Sequence, residues 1–597
     1  MKSIKKYMLY GCILTASFGL YACDKDLDNE NKAVLNDNTQ WASESNADIF
    51  LNDVYDQVPD LYSQPETLDN FTDDNDAGFY YASWKYKDGI LDPASSNYGL
   101  FGGGAVGVAT INRHNWAALY TAIRKCNTFI QQTTQRKGSY SAAWYNKRID
   151  EARFNRAFHY SILFLNWGGV PLIFDPQTRA DTASLFVKRS TYAETLGFLT
   201  RTLDTIVNNK YLAVKYNKGQ ADAGRATLGA AQMLKAYLEL VAASPAFNAT
   251  SAPGGPDPNK VAGFGNVDVT RWATAAASFK KFMTEWGGPG KPYNLFPEDS
   301  TLWYEDNEYN SEVIFDRQHV GNIRGSNYEQ YGGPVYILGS YYTWGNYNPT
   351  QELVDQFFMA NGKPITDPAS GYDPQKPYVG RERRFYKWIV YDGAPYKMDW
   401  MPKEDTIYTR IDKVRPSLNQ IDFASTDVSN TGYYFKKKLN PRNRPATGLS
   451  GANYIYFRYA EVLLGYAEAQ NEAVGPDQSV YDAINAIRAR VNLPPLPAGL
   501  SQDQMRDAIR QERRVELCFE NKRFHDIIRW RVAHQVLTVD LSGMKIENTV
   551  PGNNSGVWTY TRVGLNHPRN FKMKQYLHPI PQQAIAQNPK LVQNPGY

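Results

Sequence analysis

Apolar residues recur at three- and four-residue steps in two separated blocks of the chain, and between the blocks that periodicity breaks up. In the first block, residues 114–133 place Trp116, Leu119, Tyr120, Ile123 and either Cys126 or Asn127 on one stripe. Residues 151–174 (EARFNRAFHYSILFLNWGGVPLIF) predict a strongly apolar helix that stops at Gly168-Gly169, ahead of Pro171. Residues 191–207 and 226–243 predict two more amphipathic helices. In the second block, residues 455–474 and 479–491 predict a helical hairpin split by Gly475-Pro476. Ser501 with Gln504 then marks a capping box at the start of a third helix. The stripe of that helix runs Met505, Ala508, Ile509, Glu512, Glu516, Phe519, so an apolar face carries two carboxylates one turn apart.

Between the blocks, residues 244–453 are punctuated by Gly and Pro, and only 269–286 and 349–361 read as helices. Disordered segments are poor in aromatics, whereas this one holds Trp303, Trp344, Trp388, Trp400 and many tyrosines. The pattern therefore predicts a mostly α fold: helices packed on helices, long irregular aromatic-rich ordered loops, and minor β structure.

The N-terminus changes the picture of where such a scaffold works. Lys2, Lys5 and Lys6 precede an apolar run from Tyr7 to Leu20 that is too short to span a bilayer, and small Ala22 precedes Cys23. This pattern resembles a bacterial lipoprotein signal, in which cleavage leaves the cysteine as first residue and acyl chains on its thiol insert into lipid at about 0.8 kcal/mol per methylene. Residues 1–22 read as signal, 23–39 as a polar tether rich in Asp and Asn, and 40–597 as a single domain. No later stretch is long and apolar enough to span a membrane, so the lipid is the whole anchor.

Loss of the signal lowers the formal charge from +4 to +1. With bases and acids interleaved, no clustered basic face points to nucleic acid. Cys126 and Cys518 remain, each within a helical apolar pattern, and read as buried free thiols, although one disulfide between them stays open.

Several constellations could carry chemistry. Glu512 and Glu516 could act as an acid and base pair of the kind that cleaves glycosides. Arg510, Arg513, Arg514 and Arg523 lie close along the sequence, so structural ion pairing is the reading we adopt. Gly102, Gly104 and Gly107 match GxGxxG spacing without the strand and distal acid that a dinucleotide site needs. Asp74, Asp76 and Gly78 echo part of a calcium loop but lack its distal glutamate, so a capped turn is preferred, and no cofactor is expected. The scattered histidines offer no zinc motif, and no GxSxG elbow occurs.

What remains is aromatic. Tyr80, Tyr81, Trp84 and Tyr86 follow the acidic turn, and Tyr336, Tyr341, Tyr342, Trp344 and Tyr347 crowd GGPVYILGSYYTWGNYNP. A pyranose stacks its apolar CH face on such rings while Asp, Asn or Arg bind its hydroxyls. Asp73, Asp74, Tyr81, Trp84, Tyr336, Tyr341, Tyr342 and Trp344 are the candidate ligand residues, against the competing reading that the rings pin loops to the core.

The phrases HNWAALYTAIRKCNTFI, EARFNRAFHYSILFLNWGGVPLI, YIYFRYAEVLLGYAEAQNE, IRQERRVELCFENKRFHDIIRW and YLHPIPQQAIAQNPKLVQNPGY, in that order behind the lipoprotein signal, resemble the successive signatures of the SusD/RagB family of Bacteroidetes outer-membrane lipoproteins. Acidic Asp24, Asp26 and Asp28 resemble the surface-export signal of that phylum. The resemblance implies a single helical domain of tetratricopeptide-like pairs, a binding face made of loops, and no catalysis. It also implies a place on the outer membrane, with a SusC-like TonB-dependent barrel as partner and a glycan or, in some relatives, a peptide as ligand. Only Cys23 carries over from the family as a functional residue. A surface glycosidase using Glu512 and Glu516 is the competing class.

Overall fold

The computed structural model describes residues 37–62, 67–76, 82–94, 114–422, 428–445, 447–548, 556–565, 567 and 569–597. Cys23, the tether up to residue 36, Gly78, Tyr81 and the three glycines of the GxGxxG match lie outside the described residues.

The helical scaffold opens with α1 (Glu44–Asp56), α2 (Trp116–Gln135), α3 (Ala142–Trp167), α4 (Tyr192–Asn209), α5 (Leu228–Ala243) and α6 (Thr270–Trp286). It resumes with α7 (Tyr459–Val474), α8 (Gln478–Arg490), α9 (Gln502–Glu516) and α10 (Arg523–Arg529). From α2 to α6 each helix packs on the next in sequence, α6 then packs on α7, and α7 carries both α8 and α9. Helix α6, rooted in the loop-rich middle, thus joins the two helical blocks into one stack. The expected capping box of Ser501 and Gln504 opens α9, and Thr191 with Glu194 forms another at α4. Every residue of α5 except Lys235 is buried, as its nearly all-round apolar sequence requires. At the α6–α7 crossing, a Cβ on Gly465 would sit 2.4 Å from Phe279 Cζ, so only glycine lets these two helices approach so closely.

The strands form antiparallel pairs. These are β1 (Val313–Arg317) with β8 (Tyr454–Arg458), β2 (Tyr336–Ile337) with β3 (Ser340–Tyr341), β4 (Ile389–Val390) with β7 (Tyr434–Phe435), β5 (Ala394–Tyr396) with β6 (Asp405–Ile407), and β9 (Ser542–Asn548) with β10 (Trp558–Gly564). One hydrophobic core runs from Val58 to Leu591, and a smaller cluster seats Trp41, Leu51 and Val54 against Cys126, Phe129 and Ala152.

The structure corrects the periodicity in particular places. Residues 455–458, read as the start of a helix, belong to strand β8, because aromatic and β-branched side chains meet β1 there before the helix begins at Tyr459. Of the expected helix over 349–361, only Gln351–Val354 forms; beyond it the chain runs through turns, and Met359 bridges to Arg381. Helix α3 starts at Ala142, well before the expected residue 151: Ser141 caps it, its first turn leaves Ala142 and Ala143 exposed, and its second buries Tyr145 and Ile149 beside Arg148, which binds Glu151, Asp48 and Asp222. Cys126 and Cys518 are free, buried and in different clusters, and burial pushes each thiol up to about 12. Such thiols are inert at neutral pH.

Candidate ligand-binding site

The carboxylates that suggested chemistry lie inside the protein. Glu512 meets Arg384 at 2.7 Å and Arg488 at 3.2 Å, while Glu516 meets Arg458 at 2.8 Å, Arg384 at 3.0 Å and also Arg490. Glu312, Glu382, Glu520 and Lys437 complete this buried cluster, in which five carboxylates face five cations. Burial alone raises the Glu516 carboxyl, but Arg490, Arg458 and Arg384 outweigh it and hold the group well below the usual carboxylate range. Ion pairing is what the sequence suggested, yet the partners differ from those expected. Arg513 instead binds Asp526 and Glu461, Arg510 lies over Trp530, and Arg514 and Arg523 reach back to the acidic turn.

That turn is interior as well. Asp73 receives both Nε and Nη2 of Arg523, at 2.9 and 2.8 Å, and Asp74 receives Nε of Arg514 at 2.7 Å. Burial raises both carboxyls; at Asp73 the two arginines reverse the shift, and at Asp74 they do not. Asp76, also buried, is held by Lys87, Arg569, His567 and Asn430. Neither the ligand role expected of Asp73 and Asp74 nor the calcium echo fits acids already matched by cations. The turn zips onto the chain just beyond the aromatic hairpin: Asp76 N donates to Asn348 O at 3.1 Å, Thr350 N to Asp74 O at 3.1 Å, and Thr350 Oγ1 to Asp73 O at 2.6 Å. The acidic turn at residues 73–76 is therefore joined in space to the chain that follows the aromatic cluster at 336–347. Trp84 sits in the short helix Ala82–Lys87.

The aromatic cluster itself is built on the β2–β3 hairpin. Its turn, Leu338-Gly339, has positive φ at both positions, the geometry that matches strand twist and that glycine supplies at the second position. Asp405 accepts the Leu338 N–H at 2.6 Å, and Asn419 accepts from Tyr336 N and donates to Tyr336 O, at 3.0 and 2.7 Å. On this pinned hairpin Tyr336 packs edge-on to Tyr341 at 5.7 Å, and Tyr341 is 53% exposed. Just after it, Tyr342 lies 5.0 Å from Trp400, and the exposed Arg444 places its guanidinium 5.2 Å from the Tyr342 centroid and 6.0 Å from that of Trp400. Trp344 is half-buried against Tyr331. Tyr347 is buried.

Trp400 and Arg444 are the site residues that sequence reasoning missed. Trp400 comes from the β5–β6 connection and Arg444 lies 102 positions after Tyr342, and the two loops meet where Asp399 N donates to Pro441 O at 2.9 Å. Both belong to the aromatic-rich middle, but nothing in local spacing marks them as partners of Tyr342. The resulting platform offers two half-buried ring surfaces and one cation that ion-pairs with no acid among the described residues. It can stack a flat apolar ligand face and donate hydrogen bonds to oxygens at its edge.

Comparison with known proteins fits this architecture. A model of the SusD family matches residues 311–597, and one described as starch-binding, associating with the outer membrane, matches residues 27–206. A SusD-like protein of Formosa agariphila is 23% identical over 97% of both chains, and another from that organism is 36% identical over 157 residues, covering 25% of this chain and 26% of its own. A solved SusD-like protein of Bacteroides fragilis superposes with TM-score 0.72 at 26% identity, covering 94% of this chain and 99% of that one. A second from the same species, described as a SusD-like carbohydrate binding protein, gives 0.70 at 24% identity, covering 93% and 100%. With the helical stack, loop-borne aromatics and both halves of the chain matched, this protein belongs to the SusD/RagB family.

Proposed function

We propose that this protein is a lipid-anchored outer-membrane lipoprotein that captures a glycan on the Tyr342–Trp400–Arg444 platform, without cleaving it, and passes it to a SusC-like TonB-dependent barrel. One observation carries the reading: two half-buried rings 5.0 Å apart, from separate loops, with an exposed guanidinium over both. Tyr341, Tyr336 and Trp344 extend that surface. The carbohydrate-binding description of a relative and the outer-membrane association of the family support the same assignment. No helix among the described residues is long and apolar enough to cross a membrane, which suits acylation of Cys23 as the attachment. Non-catalytic capture agrees with Glu512 and Glu516 being locked among arginines.

The test is affinity electrophoresis of the full chain in detergent through gels containing amylopectin, xylan, galactomannan or pectin. Retardation by at least one polymer is expected, and Tyr342→Ala with Trp400→Ala should abolish it; a double variant retarded like wild type would refute the platform. Labelling with a palmitate analogue should mark the wild type and spare Cys23→Ala, and equal labelling of both would refute the anchor.

A further inference from the structure

A second aromatic stack lies beyond the platform, on elements that connect directly to it. Arg410 is fixed from within by buried Asp392: Nε lies 3.1 and 2.8 Å from the two carboxylate oxygens, and Nη2 2.6 Å from one of them. Its guanidinium carbon sits 4.5 Å from the centroid of Tyr408 and 4.5 Å from that of Trp558. Trp558 is half-buried against the core, so the stack is built outward from a supported ring through a clamped cation to Tyr408, which is 41% exposed. Nη1 of Arg410 meets no acceptor among the described residues.

The loop after Arg410 runs between the two hairpins. Ile411 N donates to Ile546 O of β9 at 2.8 Å, and Asn419 binds the Tyr336 backbone of β2 from the other end. Val414 and Leu418 on that loop are exposed, as is Tyr341 on the hairpin it reaches. The chain between Tyr408 and the hairpin that carries Tyr341 thus exposes Val414 and Leu418 along the loop that links the two stations.

We infer that Tyr408, Arg410 and Trp558 form a second glycan-contact station, and that the ligand is a polysaccharide chain long enough to occupy both stations. This rests on the glycan reading of the first platform. The outer surface of the Tyr408 ring takes the CH face of a sugar, Nη1 donates to a hydroxyl or ring oxygen, and Trp558 keeps the stack rigid. Because Asp392 already neutralises Arg410, the station suits an uncharged, hydroxyl-rich segment of chain. Two linked contacts raise affinity for any chain that reaches both, since the second contact forms at high effective concentration.

The experiment measures affinity by calorimetry for oligosaccharide ladders cut from amylopectin, xylan and galactomannan, using the full chain in detergent. Wild-type affinity is expected to step up about tenfold once chains become long enough to bridge the stations. Tyr408→Ala should remove that step and leave short oligosaccharides bound as before, while Tyr408→Phe should retain it. A Tyr408→Ala variant that keeps the step, or one that loses short and long chains equally, overturns the inference. The Tyr342→Ala, Trp400→Ala double variant separates the two readings: if it binds short chains normally the first platform fails, whereas the length dependence still judges Tyr408 on its own.

Discussion

Arg458 and Glu516 form the hinge pin of the C-terminal half: Arg458 Nη1 lies 2.8 Å from Glu516 Oε1, Arg458 leads from strand β8 into helix α7, and Glu516 ends α9. Nη1 also donates to Glu312 at 2.6 Å, and Glu520 accepts from Nε and Nη2 of Arg458, each at 2.7 Å. Because the cluster balances acids and cations in a dry interior, Glu516→Gln leaves Arg384, Arg458 and Arg490 short of a counter-charge. A loss of about 3–5 kcal/mol in unfolding free energy is expected. Urea denaturation at constant slope checks it, and a loss under about 1 kcal/mol would show the cluster contributes little.

Arg523 holds Asp73, and Asp73 holds the turn that zips onto Thr350. Arg523→Ala should let residues 67–76 open locally, with amide exchange there faster by roughly ten- to hundredfold, the worth of a lost charged hydrogen bond. Hydrogen exchange read by mass spectrometry decides this. Acceleration spread evenly over the whole chain would mean global destabilisation instead.

Arg444 is exposed and pairs with no acid among the described residues, so its removal should hardly touch folding. Arg444→Ala is expected to weaken glycan binding about five- to thirtyfold, from one cation–π contact and its hydrogen bonds, with an unchanged melting temperature. Calorimetry alongside thermal unfolding tells the two effects apart. A lowered melting temperature with full affinity would make Arg444 structural.

His525 is pulled down to about 3, by burial first and then by neighbouring His114 and Lys522, and burial likewise lowers His114 to about 4. The unfolded imidazole takes up its proton near pH 6.5 while the folded one stays neutral, so its share of stability is complete above that pH and drains away as pH falls toward 3. Glu308 and Glu329, raised to about 7, and Asp316, raised to about 6, each by burial first, act in the opposite sense and mask the slope. The difference between His525→Asn and wild type isolates the histidine: the variant should gain relative stability by about 1.4 kcal/mol per pH unit below about pH 6.5. Denaturant midpoints compared at neutral and mildly acidic pH measure it, and a pH-independent difference would contradict it.

Much of the fold was legible because helices that bury apolar stripes announce themselves: the ends of α4, α5, α6, α8 and α9 fall within a few residues of their expected limits. The misses share a cause. The partners of Glu512 and Glu516 depend on buried ion pairs, and a charge hidden by a distant counter-charge has the sequence pattern of a surface. Strand β8 was hidden for a related reason, since its partner β1 lies far upstream.

For the candidate site, local composition identified the hairpin rings Tyr336, Tyr341 and Tyr342, because aromatic density on a glycine-punctuated segment is a local property. Which of those rings face solvent, that Trp400 and Arg444 complete the platform, and that Asp73 and Asp74 serve the interior were decided only by tertiary structure. The physical reason is that stacking and ion pairing are set by distances of a few ångströms between loops whose separation along the chain carries no periodicity. The sequence alone determined the helical repertoire and the family signatures; tertiary packing chose which residues meet.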